Sequence, residues 1–475
     1  MNSVAIFLVL LAPAFAKATA GEQEKPLSTS KEMDQTVRVT VTGEVELDYV
    51  WRRQEITAFT GGVSGTSGPG NSASENTFEG FVALRMNVEL SDKVSALIEI
   101  GTKRVDAGQI NFFAASSGAG SAAQTVQLRE ASIRINELLM PELSVQVGIT
   151  QWGFDIRNRG ESLAFDLRHS QRFTRNVSPA GDTTATLGNR ASDPEEFEPV
   201  GFWFRWERTS FALDLVALPA VIEGGSPNND EAFYALDLLY TADSKGSRIG
   251  FIVAATDDPG GRSTVFTYGG GVDWRGVESF DIYGEIYFQN GWNNGPAAGV
   301  TPVKVGAWAF QVGARYDIAS DLKPWVEANL TYFSGDGDAV ANGKSSAFLS
   351  YENVHGLLIL EDMYLGFDWD SNYRAIKISG GIALNAGTKN NLKISTVVGL
   401  TQTVKTVRFA GDFTHKPGNE IDLKVAWEMT KQVVIDAGVG FLFGSKVLEN
   451  SMGGPGAPDA ERHTVLFTLG TDLRF

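Results

Sequence analysis

The last residues of the chain, Thr464-Val465-Leu466-Phe467-Thr468-Leu469-Gly470-Thr471-Asp472-Leu473-Arg474-Phe475, alternate in character. Val465, Phe467, Leu469, Leu473 and Phe475 share one face with Thr471. Thr468, Gly470, Asp472 and Arg474 share the other, with Leu466 as the exception. A period of two residues marks a β-strand with one apolar and one polar face. The same pattern opens the chain's regular part: Val37, Val39, Val41, Val45, Leu47, Tyr49 and Trp51 oppose Arg38, Thr40, Thr42, Glu44, Glu46 and Asp48. Carboxylates at successive positions of one face are costly in lipid, so that face must be wet. Many strands with one continuous apolar face cannot all find a soluble core, as a β-sandwich would require. A closed barrel with lipid outside and water inside satisfies every backbone group. The fold class expected is all-β, a transmembrane antiparallel up-and-down β-barrel of about 18 strands in the cell outer membrane. A final strand ending on Phe475 also resembles the C-terminal signal by which such barrels are recognised for insertion.

Working outward, alternation predicts strands at 37–51, 78–90, 94–103, 125–137, 142–153, 197–206, 209–218, 231–241 and 247–256. It predicts further strands at 264–275, 279–289, 304–317, 322–333, 372–384, 391–402, 419–429, 432–443 and 464–475. Short turns, such as Ser91-Asp92-Lys93, Glu207-Arg208 and Thr430-Lys431, alternate with long loops such as Thr57 to Ser74. That asymmetry is the outer-membrane rhythm, with short turns in the periplasm and long loops outside. Ahead of the strands, the apolar run Val4 to Phe15 is followed by Ala14-Phe15-Ala16 and Ala18-Thr19-Ala20, both suited to signal peptidase. The expected organisation is a signal peptide over 1–20, a periplasmic lead over 21–36 and a barrel over 37–475.

Composition narrows the function. The 475 residues include 52 glycines, 11% aromatics and no cysteine, which excludes disulfides and thiolate metal sites. A net charge of −17 argues against a nucleic-acid partner. Trp51, Trp152, Trp203, Trp206, Trp274, Trp292, Trp325 and Trp427 fall in or near expected strands, which suits girdles at the headgroup level. His169, His355, His415 and His463 make no pair at zinc spacing, and no Gly-x-Ser-x-Gly elbow occurs. Asp336-Gly337-Asp338 with Asn342-Gly343 lacks the glutamate that completes a calcium loop. No enzymatic activity, metal or cofactor is expected.

Several segments resemble the alginate export porin family, outer-membrane channels of about 18 strands that pass an anionic polysaccharide. Leu128-Arg129-Glu130-Ala131-Ser132-Ile133 is similar to that family's Arg-Glu-Ala-Tyr strand. Val147-Gly148-Ile149-Thr150-Gln151 through Asp155-Ile156-Arg157 is similar to its Gly-Arg-Gln segment with Asp-x-Arg, except that Ile149 stands where the arginine does. Tyr283-Gly284-Glu285 with Gln289 and Gly291, Ala307-Trp308-Ala309, Ser334-Gly335-Asp336, and Gly366-Phe367-Asp368 with Asn372 follow in the same order. The nearest match is Gly418-Asn419-Glu420-Ile421-Asp422-Leu423, followed by Ala437-Gly438-Val439-Gly440. The resemblance runs from about residue 125 to the end. It implies passage of an anionic polysaccharide or oligosaccharide and periplasmic export partners.

Alternation supplies pore candidates independently. Glu420, Asp422 and Lys424 oppose Ile421, Leu423 and Val425. Glu285 and Gln289 oppose Ile286 and Phe288, and Arg85, Gln311, Lys377 and Lys393 face inward by the same rule, with Arg129, Glu130 and Asp155 added by the resemblance. A wall with both signs is a wet, screened ladder. Beyond these, Arg157, Arg159, Arg168, Arg172 and Arg175, with His169, fall within 19 residues and are countered by Glu161 and Asp166. Folded into the lumen, this stretch would form a positive constriction suited to carboxylates or phosphates. Left outside, its arginines would meet lipid phosphates. The expected function is a channel of alginate-export type, and the alternative is a diffusion porin for uptake of small solutes, anionic ones included. Either has outer-membrane lipids as its surroundings.

Overall fold

The computed structural model describes residues 37–54, 73–102, 126–149, 152–157, 162–165, 200–222, 231–258, 263–293, 303–336, 344–348, 350, 356–361, 372–385, 390–405, 407–409, 412–414, 417–445 and 462–475. Among them eighteen strands form the wall. They are β1 (Arg38–Gln54), β2 (Ala73–Glu89), β3 (Val94–Thr102), β4 (Val126–Ile135), β5 (Leu143–Ile149), β6 (Val200–Arg208), β7 (Phe211–Ile222), β8 (Glu231–Thr241) and β9 (Arg248–Asp258). Then come β10 (Ser263–Val277), β11 (Phe280–Asn293), β12 (Val303–Asp317), β13 (Trp325–Phe333), β14 (Tyr373–Leu384), β15 (Asn391–Thr403), β16 (Asn419–Glu428), β17 (Val433–Ser445) and β18 (Arg462–Arg474). Each pairs antiparallel with its successor, and β18 returns to β1, so the sheet has no free edge. Short strands lie outside this order: Lys344–Ser345 runs parallel to β12, and Val407–Phe409 pairs with Asp412–Thr414. The expected signal and periplasmic lead lie outside the described residues.

The seam is closed by the end of the chain. The Gly43 N–H donates to the Phe475 carbonyl at 2.7 Å, and the Phe475 N–H donates back at 2.9 Å. The Phe475 ring covers Gly43 so closely that a Cβ there would lie 2.2 Å from Cζ. An aromatic ring over a glycine in the neighbouring strand restores apolar cover where the pleat has no side chain.

The radial pattern is the inverse of a soluble protein's. Glu420 and Asp422 are buried, whereas Ile421 and Leu423 between and beside them are exposed. Leu400, Ile376, Ile378, Val312 and Phe251 are likewise exposed. On this outward surface Trp308 stacks with Phe310 and Tyr332, and Tyr268 with Phe288, as parts of an apolar outer face.

Some boundaries differ from the alternation. β2 begins at Ala73, inside the expected loop, because its backbone continues to pair with Val50 to Gln54 although its side chains are polar. The turn after β6 is Thr209-Ser210, not Glu207-Arg208, since the ladder runs on to Arg208↔Phe211. β5 stops at Ile149, short of the expected 153. Gly148 has φ 125°, a conformation open to glycine, and a Cβ there would lie 2.0 Å from the Ala131 carbonyl. Past this point Trp152 leaves the wall for the interior. Trp152 and Trp203 therefore belong to a core inside the barrel and not to a girdle, and Trp325 lies over Gly381 on the inner face.

Candidate channel interior

Two segments fold inward onto the wall. The first comprises Trp152 to Arg157 and Ser162 to Phe165. Its Trp152, Phe154, Ile156, Leu163 and Phe165 pack with inward residues of consecutive strands, Ala212 and Val216 on β7, Phe233 and Ala235 on β8, Ile252 and Ala254 on β9. The expected wet ladder is thus replaced here by a small apolar core. The reason is local: β7 reads Phe-Ala-Leu-Asp-Leu-Val-Ala-Leu, apolar on both faces apart from Asp214, so its inner face needs cover.

Polar contacts fix the first segment. Glu285 accepts from Ser162 Oγ at 3.0 Å, the Leu163 N–H at 3.0 Å and the Tyr287 hydroxyl at 2.6 Å. Arg157 lies 3.7 Å above the Tyr283 ring, donates to Gln311 Oε1 at 3.1 Å and approaches Glu327 at 3.9 Å. Its side chain is only 12% exposed, so it serves as a clamp between segment and wall. Arg248 donates to the carbonyls of Asp155 at 2.9 Å and Arg157 at 3.4 Å. Gln311 also donates to Thr331, and Gln289 to Thr267, both at 3.1 Å.

The second segment includes Ser346 to Phe348, Ser350 and Gly356 to Glu361. Phe348 packs on Phe333 with ring centroids 5.8 Å apart. Further on, Glu361 forms a fully buried pair with Lys377, both carboxylate oxygens 3.0 Å from Nζ, and accepts from the Tyr373 hydroxyl at 3.1 Å. Glu420 and Asp422 receive backbone N–H groups of the Leu357 to Leu360 turn, and Lys424 Nζ donates to the Gly356 carbonyl at 2.9 Å. Ser350 Oγ donates to the Leu163 carbonyl at 3.2 Å, which joins the two segments into one inner layer along β7 to β17.

The remaining wall, β1 to β6, carries charges on its inner face, as does the C-terminal end of β18, whose inward Thr464, Leu466 and Thr468 are buried. Arg85 Nε donates to Glu99 at 2.7 Å, its Nη2 lies 3.8 Å from Glu130, and 43% of its side chain is exposed. Arg474 meets Glu44 at 3.3 Å and also pairs with Asp472. Arg205 bridges Glu207 at 3.0 Å and Asp214 at 3.5 Å.

The sequence candidates therefore separate. Glu285, Gln289, Gln311, Lys377, Glu420, Asp422, Lys424, Arg157 and Asp155 all lie at or beneath the inner layer. Arg85 lies half-exposed on the remaining wall beside the buried Glu130, and Lys393 pairs with Glu428 near the start of β15. Arg129 is the extra residue of a bulge opposite Glu99 and Ile100, and its side chain lies outside the described residues. Arg159, Arg168, His169, Arg172 and Arg175 also lie outside them, as do Gly366-Phe367-Asp368 and the end of the Asp336-Gly337-Asp338 motif. Glu99 was not among the candidates, although its place between Ile98 and Ile100 marks it as inward. Ser162 and Glu361 carry no local signal beyond an apolar run, Leu357 to Leu360, misplaced in a loop.

No protein family matches the sequence, and no curated protein matches it. Similar solved structures include Pseudomonas aeruginosa OpdK with vanillate, at 10% identity and a TM-score of 0.48, covering 92% of this chain and 98% of that one. Another is Pseudomonas aeruginosa OccK11 (OpdR), at 9% identity and a TM-score of 0.47, covering 92% and 96%. A loop L8 deletion mutant of the Vibrio cholerae outer membrane protein OmpT follows at 10% identity and a TM-score of 0.37, covering 93% and 100%. The assignment rests on the chain's own geometry: a closed sheet, an apolar outer belt and a charged inner wall. The chain is an outer-membrane β-barrel.

Proposed function

We propose that this barrel is a diffusion channel for small solutes. The observation that carries the reading is the division of the inner wall. An inner layer spans β7 to β17 and joins on itself at Ser350 and Leu163, leaving the conducting path along the charged faces of β1 to β6 and the C-terminal end of β18. A narrowed, one-sided path suits small solutes that exchange water for fixed charges. The alginate-like motifs supply the second reading, passage of an anionic polysaccharide or oligosaccharide with periplasmic partners. Their most similar segment places Glu420 and Asp422 beneath the inner layer, fully buried, where they cannot meet a passing polymer.

Planar-bilayer recording tests the proposal. Stepwise conductance in KCl, current block by small charged solutes and indifference to oligouronates are expected. Absence of conductance would refute the channel. Block by long oligouronates alone, relieved in the Arg168→Gln/Arg172→Gln/Arg175→Gln variant, would favour the polymer reading.

A further inference from the structure

The Leu357-Leu358-Ile359-Leu360 turn is seated unlike an ordinary loop. Its backbone N–H groups point at carboxylates in succession. Leu357 donates to Glu361 Oε2 at 3.0 Å, Leu358 to Asp422 Oδ2 at 3.0 Å, Ile359 to Glu420 Oε1 at 2.6 Å and Leu360 to Glu420 Oε2 at 2.9 Å. Successive N–H groups of a tight turn form an anion-binding nest. Here the acceptors are Glu420 and Asp422 of the barrel wall and the turn's own Glu361. Charged acceptors make these the stronger class of hydrogen bond. The side chains of the turn fill places where the wall has no Cβ. A Cβ at Gly399 would lie 2.6 Å from Leu357 Cδ1, one at Gly438 would lie 3.1 Å from Leu358 Cδ1, and one at Gly440 would lie 3.2 Å from Ile359. All four apolar residues are buried. Lys424 holds the entry to the turn through the Gly356 carbonyl, and Lys377 holds its exit through Glu361.

We propose that Glu420 and Asp422 are positioning residues that set the cross-section of the channel by docking this turn flat on the inner wall. The inference rests on the channel reading above. Both oxygens of Glu420 accept from successive N–H groups, so Glu420→Gln leaves one buried N–H facing an amide NH2. A buried N–H that loses its acceptor cannot stay dry, and the change drives the turn off its glycine seats and into the lumen. The effect is on the conducting path, because the turn is not part of the closed sheet.

The test uses the full-length barrel reconstituted in planar bilayers. Glu420→Gln/Asp422→Asn is expected to show several-fold greater open-channel noise and lower mean conductance than the wild type. A second variant, Leu358→Ser/Ile359→Ser, leaves the wall untouched and is expected to behave alike. Unaltered heat-modifiable mobility in both variants is expected, since the barrel stays closed. In the Glu420→Gln/Asp422→Asn background, adding Ile359→Cys and Gly440→Cys should restore the quiet level on oxidation and lose it on reduction. The chain has no other cysteine. A readout independent of conductance is the labelling rate of Ile359→Cys alone by a charged thiol reagent, slow in the otherwise wild-type barrel and several-fold faster with the two carboxylates replaced. Wild-type conductance and noise in both docking variants would overturn the proposal, as would equal labelling rates. A wild-type barrel that never conducts would refute the channel reading, and the labelling rates would still decide the docking.

Discussion

The inner faces of β1 to β6 and of β7 to β17 follow the same two-residue alternation, yet one is bare and the other is covered. On the bare side, Arg85, Glu44 and Arg474 pair with their neighbours and keep much of their side chains in water. On the covered side, small residues such as Ala254, Ala307, Ala309, Gly438 and Gly440 make room for the inner layer, and Glu361, Lys377, Glu420 and Asp422 are fully enclosed. The lesson is that inward charge in a barrel has two uses. Exposed to the lumen, it shapes a field for solutes. Enclosed, it holds a segment in place, at a cost in desolvation that only close pairing offsets.

The largest difference between the two sides should appear in stability. Lys377→Met leaves the Glu361 carboxylate enclosed without its cation, and it is expected to cost about 3–5 kcal/mol in thermal unfolding in detergent. Phe233→Ala, which empties the core beneath Trp152 and Phe165, belongs in the same range of about 3–5 kcal/mol. On the bare side, Arg85→Gln should cost less than either, because 43% of the guanidinium side chain is exposed and the glutamine amide keeps a donor toward the buried Glu99. It should instead move the reversal potential in a salt gradient toward greater cation preference, as a fixed positive charge is lost. Equal stability losses at Lys377 and Arg85 would erase the distinction between covered and bare wall. Glu44→Gln sharpens it further: stability within about 0.5 kcal/mol of the wild type is expected, with a shift of reversal potential opposite to that of Arg85→Gln.

The smallest expected effect lies in the short turn between β8 and β9, which belongs to neither side. Asp243 accepts from the N–H groups of Lys245 at 2.9 Å and Ser247 at 3.0 Å, and from Ser247 Oγ at 2.6 Å. These bonds, those from Ser247 first, hold its carboxyl below the usual carboxylate range. A lowered folded-state pKa gives a contribution that is present above the unfolded-state value and lost as pH falls through the folded one. Hydrogen exchange at the Ser247 amide should therefore quicken only at strongly acid pH. Loss of protection between neutral and mildly acid pH would contradict this account of the turn.

Much of the wall was legible because alternation is a local property. Glu420 and Asp422 were readable as inward from Ile421 and Leu423, and Phe475 as the close of the last strand. The use of those carboxylates was not readable, because the N–H groups they accept lie 60 to 64 positions away in the chain. The inner layer left weaker traces. Apolar residues on both faces of β7 and the run Leu357 to Leu360 in a loop were inconsistent with a wet lumen and an exposed loop. Their complementarity is a matter of shape, which no spacing rule encodes. Trp152 was misread for the same reason: a tryptophan at a strand end suits a girdle, and its place against Phe233 inside the barrel is set by residues distant in the chain.

The division of the inner wall is tested most directly by the labelling of single cysteines with a charged, membrane-impermeant thiol reagent in the reconstituted barrel. The chain supplies no background, since it has no cysteine. Thr42→Cys and Asn87→Cys face the bare lumen and should react rapidly. Ala254→Cys and Ala309→Cys face inward beneath the inner layer and should react slowly, as slowly as the lipid-facing Val312→Cys. Rapid reaction at Ala254 and Ala309 would show that no inner layer covers β9 and β12, and the account of a one-sided channel would be wrong.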